Sequence, residues 1–312
     1  MAGATQKNGS LPARVPVITK TGRRTGKNSM LGTAFKKLLV DKLALAGLAI
    51  ILLVVAVGIA APYLAPNDPE KVILSQKLAS SSARYPLGTD PLGRCILSRL
   101  IHGTRLSLST ASIALVTIML ISIPLGTLSG YLGGWLDNLV MRVIDVLLAF
   151  PGLVLALVIA GVLGPGLLNV MLAIVAVWWV GYARVIRGMV LSVKEKEFVL
   201  AARSSGTSHL GIILRHILPN VIAPVIVLAT LDMGSIILAI SGLSFLGLGA
   251  QPPTPEWGAM LNDGRPYMQV APLLMVYPGL AIMTLVLAFN LLGDGLRDAL
   301  DPKGTTRRYT GG

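Results

Sequence analysis

Apolar residues in this chain are concentrated in six long runs, which are separated by polar and charged segments. A run of about 18 or more apolar residues is long enough to cross the hydrocarbon core of a bilayer as a helix. Lipid offers no hydrogen-bond partners, so the backbone of such a run favours the α-helix, which satisfies its polar groups internally. The pattern therefore predicts an all-α membrane protein with six transmembrane helices. The predicted spans cover residues 40–61, 106–130, 140–163, 167–183, 217–240 and 272–293.

Proline interrupts three of these spans or lies at their ends. Pro124 falls inside the second span, the pair Pro151-Gly152 falls in the middle of the third, and the fifth span starts near Pro219. Such residues are tolerated in membrane helices where neighbouring helices satisfy the freed backbone groups. We therefore expect each of the three runs to remain a membrane span.

The composition supports a membrane protein and narrows its chemistry. Of the 312 residues, 54% are hydrophobic and 13% are charged, and the mean hydropathy is +0.74, whereas a soluble domain carries about 25% charged residues. The net charge of +13 does not indicate nucleic-acid binding, because the basic residues lie between the spans, where membrane topology accounts for them. One cysteine excludes an intrachain disulfide. The three histidines are too far apart in sequence for a metal motif, so we expect no metal and no cofactor.

The distribution of Lys and Arg between the spans predicts the orientation of the chain. With the N-terminus inside, the inside segments hold 20 of the 27 basic residues, which agrees with the positive-inside rule. We therefore expect a multi-pass protein with both termini in the cytoplasm. Residues 1–38 are then expected to form a basic, disordered cytoplasmic tail, and residues 297–312 a second cytoplasmic tail.

Residues 39–105 are expected to hold the first span and an outside segment beside the membrane. Six of the seven outside basic residues lie there, against the usual bias. The stretch from Arg94 to Arg105 alternates apolar and basic residues at helical spacing. It is therefore predicted to be an interfacial helix at the membrane surface.

The inside segment between the fourth and fifth spans is unusually long for a loop of a compact domain. It runs from Arg184 to His216, with charge on one side and apolar residues at intervals of three or four. This spacing predicts short amphipathic helices, and Gly206 permits a sharp turn between them. A helix–turn–helix on the cytoplasmic side of a membrane protein indicates a specific role.

One motif in this segment resembles a known family. Two adjacent alanines are followed by a glycine and, after nine further residues, by a His-Ile-Leu-Pro sequence, an arrangement that resembles the EAA loop of ABC importer permeases. The resemblance implies that residues 189–219 form cytoplasmic coupling helices that sit in a cleft of an ATPase subunit. This chain departs from the motif at Leu200, where the loop usually has glutamate. The residues assigned to the coupling contact are Ala201, Ala202, Gly206, His216, Leu218 and Pro219.

Further motifs outside this segment narrow the family. Residues 87–94 read LGTDPLGR, residues 244–249 and 253–258 read SFLGLG and PTPEWG, and residues 290–302 read NLLGDGLRDALDP. Together with the coupling motif, these sequences resemble the peptide/nickel group of ABC importer permeases, specifically the second of two paired subunits. The resemblance covers residues 40–303.

The resemblance carries expectations about fold, partners and cargo. It implies the type I ABC importer permease fold, with residues 106–296 as the transmembrane permease domain, in the bacterial plasma (inner) membrane. The implied partners are a second homologous permease, two ATP-binding cassette subunits and an extracytoplasmic substrate-binding protein. The implied cargo is a small peptide, with nickel or a nickel chelate as the alternative. The sequence contains no ATP-binding motif, so ATP hydrolysis is expected in the partner subunits.

Asp232 is the acidic residue expected within a span. A charge at that depth is costly and usually faces a cavity or a partner. Two interpretations stay open. The carboxylate could line the translocation path and meet a cationic cargo, or it could hydrogen-bond to a neighbouring helix or lie near the outer interface.

Two other classes of protein, an enzyme and a stand-alone transporter, fit the sequence less well than an importer subunit. An enzyme is not expected, because no histidine lies inside a predicted span and no Gly-x-Ser-x-Gly elbow occurs. A stand-alone secondary transporter is the alternative, and such folds often contain internal repeats with broken helices. The sequence shows no convincing repeat, and the long inside segment would have no role in such a protein.

Overall fold

The computed structural model describes residue 3 and residues 37–300. The predicted tail at 1–38 therefore lies almost entirely outside the described residues, as do residues 301–312. Within the described part the chain is helical, with one isolated bridge between Thr89 and Cys95. Short helical turns of other types lie at Leu74–Gln76, Ile213–Ile217 and Arg265–Tyr267. The α-helices are α1 (Lys42–Ile59), α2 (Ala61–Leu64), α3 (Ile96–Leu132), α4 (Gly134–Leu148), α5 (Gly152–Leu163), α6 (Leu167–Lys194), α7 (Glu197–Ser204), α8 (His209–Ile212), α9 (Leu218–Phe245), α10 (Trp257–Gly264) and α11 (Leu273–Leu300).

Helices α1, α3, α6, α9 and α11 are each long and apolar enough to cross a membrane. Helices α4 and α5 meet the same test together, but they are bent by 87° relative to each other. The prediction of an all-α protein with several spans is therefore confirmed, with five continuous candidate spans and the bent pair α4–α5 as a candidate sixth. Helices α7 and α8 lie at one end of the spans, which we call the coupling end, and α10 lies at the opposite, distal end.

The third predicted span is not the single helix expected over residues 140–163. The chain changes direction between α4 and α5 because Pro151 has no N–H to continue the helix. Proline also disfavours helical backbone at the residue before it, here Phe150, and Pro151 itself has a ψ of 121°. The helix on the N-terminal side begins earlier than predicted, at Gly134.

The ion pairs between α4 and α6 define how the two helices cross. Asp137 pairs with Arg187, and Asp145 pairs with Arg184. The two acids are about 12 Å apart along α4, whereas the two arginines are about 4.5 Å apart along α6, at 1.5 Å per residue. Helix α4 therefore runs obliquely across the coupling end of α6, and α5 is the part of the broken span that packs along α6.

The predicted interfacial helix at Arg94 to Arg105 is wrong. Helix α3 begins at Ile96, so this stretch is the first part of the second span, which was predicted to begin at 106. Arg94 and Arg99 are only 2% exposed, so their side chains lie inside the protein and not among lipid headgroups.

Two aspartates from separate segments neutralise the buried arginines. Arg94 Nε lies 2.5 Å from Asp90 Oδ2, and Arg94 Nη2 lies 3.0 Å from Asp263 Oδ2. Arg99 Nη2 lies 3.4 Å from the same Asp263 oxygen, and Arg99 Nη1 donates to the Pro253 carbonyl at 3.1 Å. These contacts connect the start of α3 to α10 and to the loop before it.

Helices α3 and α6 pack closely because glycines of α3 face the backbone of α6. A Cβ added at Gly126 would lie 2.6 Å from the Ala183 carbonyl oxygen, and one added at Gly130 would lie 2.9 Å from the Arg187 carbonyl oxygen. Small residues at such positions allow the helix axes to approach, which favours association within a membrane. Lys194 Nζ also donates to the Gly130 carbonyl at 3.0 Å, so the two helices are joined at the coupling end.

Candidate coupling site and membrane path

The coupling segment begins later in the chain than the sequence predicts. Helix α6 continues to Lys194, so residues 189–194 belong to the fourth span, which was predicted to end at 183. Helices α7 and α8 follow, with a turn at Gly206 between them. The chain then forms the π-helical turn Ile213–Ile217 and enters α9.

Gly206 has the backbone conformation that the turn requires. Its φ is +78°, in the left-handed region that glycine adopts without steric cost. Gly206 N–H donates to the Arg203 carbonyl at 3.0 Å, and Thr207 N–H donates to the Ala202 carbonyl at 3.1 Å. These two bonds close the end of α7 as in a helix C-cap.

The other residues of the coupling motif occupy different parts of the segment. Ala201 is exposed and Ala202 half-buried on α7, while His216 lies in the π-helical turn and its ring is 6.4 Å from the Phe198 ring. Leu218 and Pro219 begin α9. A π-helical turn locally changes the hydrogen-bond ladder and is frequent at functional sites.

One side of the coupling segment is apolar and exposed. Val199 and Ile212 are fully buried against the spans. On the other side, Leu200, which replaces the usual glutamate, is 43% exposed, and Phe198 is exposed to the same extent. Leu210 of α8 is 65% exposed. Exposed apolar side chains grouped at a surface are typical of protein–protein contacts.

A charged cluster at the coupling end was missed by the sequence reasoning. Asp137 of α4 accepts from Arg187 Nε at 2.5 Å and from Arg187 Nη2 at 2.7 Å, and it also accepts from the Ser129 hydroxyl of α3. A bidentate pair of this kind fixes geometry as well as charge. The three residues come from three helices, so no local spacing in the sequence could have indicated the contact.

Asp232 lies near the middle of α9, as its fifteenth of 28 residues, and is half-buried. Its electrostatic neighbour is the hydroxyl of Tyr182, the sixteenth of 28 residues in α6. Tyr182 is 5% exposed, and its hydroxyl has no hydrogen-bond partner of standard geometry. Among the ion pairs of residues 37–300, none includes Asp232. The fold thus places a carboxylate without a cationic partner at mid-span.

Glu256, from the motif at 253–258, has a structural role at the distal end. Its carboxylate caps α10 by accepting from Gly258 N–H at 2.9 Å and Ala259 N–H at 2.8 Å. The Ser107 hydroxyl of α3 donates to the same carboxylate at 3.2 Å. Glu256 is fully buried, and this burial raises the pKa of its carboxyl, with the two backbone N–H groups acting in the opposite direction.

Trp257, the next residue of that motif, anchors α10 to α3. It is 2% exposed, and its indole N–H donates to the Leu100 carbonyl at 3.1 Å. A Cβ added at Gly103 of α3 would lie 2.9 Å from Trp257 Cδ1, so the missing side chain at that position makes room for the indole. The tryptophan therefore orders the loop before α11.

Within the described residues, no group of three or more His, Cys, Asp or Glu side chains could hold a metal ion. Two cavities at the distal end have volumes of about 80 Å³ and 230 Å³. Pockets that bury a small ligand usually measure about 300–1,000 Å³. Neither cavity is large enough to enclose a peptide.

Comparisons with known proteins identify the class to which this architecture belongs. Residues 122–305 match the family described as binding-protein-dependent transport system inner membrane components. Residues 29–81 match the N-terminal transmembrane domain of oligopeptide transport permease C. The chain therefore belongs to the family of multi-pass inner-membrane components of binding-protein-dependent transport systems.

Three relatives define the class more closely. A dipeptide transport system permease protein DppC of Alkalihalophilus pseudofirmus is 46% identical over 86% of this chain and 89% of that protein. A glutathione transport system permease protein GsiD of Pectobacterium atrosepticum is 43% identical over 93% of this chain and 96% of that protein. A nickel transport system permease protein NikC of Escherichia coli is 44% identical over 82% of this chain and 92% of that protein. This chain is a permease subunit of an ABC importer and not a stand-alone transporter.

Proposed function

We propose that this chain is one of two homologous permease subunits that enclose a path for ATP-driven uptake of small peptides. The observation that carries the proposal is the coupling segment, in which α7 and α8 present exposed apolar side chains on either side of the Gly206 turn. The relatives are permeases, not ATPases, and this sequence contains no phosphate-binding loop. ATP hydrolysis therefore takes place in two ATP-binding cassette subunits, and this chain is not itself an enzyme.

The contact with the ATPase is formed by the exposed side of the coupling segment. Ala201, Ala202 and Gly206 lie where the coupling motif meets its cleft, and His216, Leu218 and Pro219 form the return into α9. Leu200 makes this contact apolar at the position where the motif usually has glutamate. ATPase closure moves α7 and α8, and these helices move the spans in an alternating-access cycle.

The coupling contact also determines the orientation of the chain. Helices α7 and α8 have to face the cytoplasm, where ATP is available. Helix α6 enters this segment and α9 leaves it. If the bent pair α4–α5 is one span, six crossings in all support a proposed orientation with both termini in the cytoplasm. The excess of basic residues in the inside segments supports the same orientation.

The path for cargo lies between this chain and its paired permease. The cavities of about 80 Å³ and 230 Å³ are too small to enclose a peptide within one chain. Asp232 lines the path and favours cargo with a positive charge, because its carboxylate is half-buried without an ion-pair partner. An extracytoplasmic substrate-binding protein delivers the cargo at the distal end.

A peptide is the first candidate cargo, since two of the three relatives are named for a dipeptide and for glutathione. Nickel or a nickel chelate is the second candidate, supported by the relative named for nickel and by the carboxylate of Asp232. Both candidates contain a positively charged group, an amino terminus or a metal ion.

Reconstitution in proteoliposomes tests this function. The chain is assembled with its paired permease, two ATPase subunits and the substrate-binding protein. Uptake is then measured for a labelled dipeptide, labelled glutathione and ⁶³Ni²⁺ with and without histidine as a chelator. We expect ATP-dependent uptake of the dipeptide to be the fastest. Uptake of nickel alone would establish the second candidate, and ATP hydrolysis with uptake of none of the three would contradict both.

A further inference from the structure

The last turn of α3 carries an aromatic residue that contacts both coupling helices. Tyr131 is 5% exposed, and its hydroxyl forms a hydrogen bond of 2.8 Å with Nδ1 of His209, the first residue of α8. The two rings meet edge to face, with centroids 5.7 Å apart. The guanidinium carbon of Arg203, on α7, lies 6.0 Å from the Tyr131 ring centroid. One side chain of the second span therefore lies between the two helices, with the Gly206 turn joining them.

Helix α3 is not joined to the coupling helices by the chain, so only non-covalent contacts connect them directly. The coupling segment is continuous with α6 at one end and with α9 at the other, so movement of α7 and α8 reaches those two spans through the chain itself. Helix α3 has no such connection. In the described part of the chain, the hydrogen bonds and ring contacts between α3 and these two helices all involve Tyr131.

The packing of α3 allows a displacement at Tyr131 to move the whole span. Gly126 and Gly130 hold α3 against the α6 backbone, and α3 runs from the coupling end to the buried Arg94–Asp263 contact at the distal end. A displacement applied at Tyr131 is thus carried along a helix of 37 residues. Packed interfaces of this kind change between discrete arrangements and do not deform continuously.

We propose that Tyr131 is the positioning residue that links the coupling helices α7 and α8 directly to the second span, in addition to the packing of α3 against α6. When α8 moves, the hydrogen bond to His209 pulls on the Tyr131 hydroxyl. When α7 moves, the contact with Arg203 acts on the Tyr131 ring. Movement of either helix therefore displaces α3. The proposal rests on the proposed coupling of α7 and α8 to an ATPase.

The experiment follows α3 directly and does not depend on the cargo. In a Cys95→Ser background, Ser109→Cys on α3 is labelled with an environment-sensitive fluorophore, and the assembled complex is studied in lipid nanodiscs. Serine suits position 95, which is the N-cap of α3. The readouts are the ATP-driven fluorescence change and the rate of ATP hydrolysis in the same sample.

Three variants separate the contact of Tyr131 with His209 from its contact with Arg203. Tyr131→Leu removes both contacts, so we expect the fluorescence change to fall about fivefold or more while ATP hydrolysis continues. Fivefold is about the lower end of typical coupling between sites. Tyr131→Phe keeps the ring beside Arg203 and should restore part of the change. His209→Leu removes the same hydrogen bond and also the ring contact, so it should lose at least as much as Tyr131→Phe. The double variant should lose no more than His209→Leu alone, because the hydrogen bond is already absent there. Tyr85→Phe is the control, since that hydroxyl is buried without a partner at the distal end.

Each outcome decides the proposal. An unaltered fluorescence change in Tyr131→Leu overturns it. If that variant does not assemble, Tyr131→Phe decides: an unaltered change, or full additivity with His209→Leu, overturns the proposal, and a shared partial loss supports it. A wild-type complex that binds no ATPase subunits would instead refute the proposed function. An ATPase-active wild type with insensitive Tyr131 variants refutes only this inference.

Discussion

At the scale of single residues, the conformation of Gly206 sets the angle between α7 and α8. Its φ of +78° is disfavoured for residues with a Cβ, by roughly 1–2 kcal/mol. A Cβ added there meets nothing within 4 Å, so the cost is in the backbone and not in a clash. We predict that Gly206→Val inserts normally but reduces cargo-stimulated ATP hydrolysis in the assembled complex.

Gly164 offers a matched control for that variant. It also has a positive φ, +86°, and open space around an added Cβ, but it lies at the end of α5. Gly164→Val places a side chain at a backbone conformation that is at least as unfavourable (φ 86°, ψ 172°), away from the coupling segment. Equal loss of stimulation in both variants would show that general destabilisation, and not coupling, is being measured.

Asp232 is the second residue whose role can be tested by a single substitution. Asp232→Asn keeps the size and most hydrogen bonding of the side chain but removes its charge. If the carboxylate attracts cationic cargo by about 1.4 kcal/mol, its loss lowers affinity in the path about tenfold. We predict slower uptake of the cationic cargo in proteoliposomes, with the amount of purified complex unchanged.

Asp298→Asn is the control for the loss of charge, because Asp298 is exposed near the end of α11. It should leave uptake unaltered. Two results for Asp232→Asn would contradict the path assignment. Unaltered uptake would remove the role in transport, and loss of the complex would show that Asp232 holds helices together.

At the scale of elements, α10 depends on the cap that Glu256 supplies. Glu256→Ala leaves the N–H groups of Gly258 and Ala259 without an acceptor, and loss of a helix cap costs about 1 kcal/mol, with a range of 0.5–2. We predict a lower thermal unfolding midpoint in detergent for this variant, with Glu256→Gln affected less because its amide oxygen can still accept.

The pH dependence of the same element follows from the raised pKa of Glu256. Burial disfavours the ionised carboxylate, so the folded protein carries a penalty at pH values above the raised pKa. The penalty is lost as the pH falls through that pKa towards the ordinary value of 4.5. Relative to Glu256→Gln, the unmodified protein should therefore become more stable on acidification. A constant difference in unfolding midpoint across this pH range would contradict the assignment.

The spans and the Gly206 turn could be predicted from the sequence alone. Long apolar runs predicted the spans because lipid exposure makes the signal continuous, and the Gly206 turn was predicted because few other residues adopt its backbone. The start of α3 was misread because Arg94 and Arg99 are neutralised by Asp263, a partner far away in the sequence. The bend at Pro151 was underestimated because a proline in a span can cause either a kink or a break, and packing against α6 decides between them.

At the scale of the whole molecule, the arrangement of spans can be tested by labelling. In a Cys95→Ser background, Met268→Cys lies between α10 and α11 at a position that is 58% exposed, and Ser204→Cys lies at the end of α7. We predict that an impermeant thiol reagent added outside intact cells modifies the first variant and not the second.

Permeabilised cells provide the control, since both cysteines should then react. Labelling of Ser204→Cys from outside, with protection of Met268→Cys, would reverse the proposed orientation. Labelling of both from outside would imply an even number of crossings between them, whereas α9 is a single crossing between the two positions.

The buried arginines at the start of α3 have a consequence for biosynthesis. In the proposed orientation, with both termini in the cytoplasm, Arg94 and Arg99 are translocated long before Asp263 has been synthesised. Asp90 crosses with them, four residues ahead of Arg94, so the Asp90–Arg94 pair needs no segment that is synthesised later. The second acid arrives only when α10 reaches the distal end. The outer end of the second span therefore reaches its final state late, when the C-terminal third of the chain has emerged.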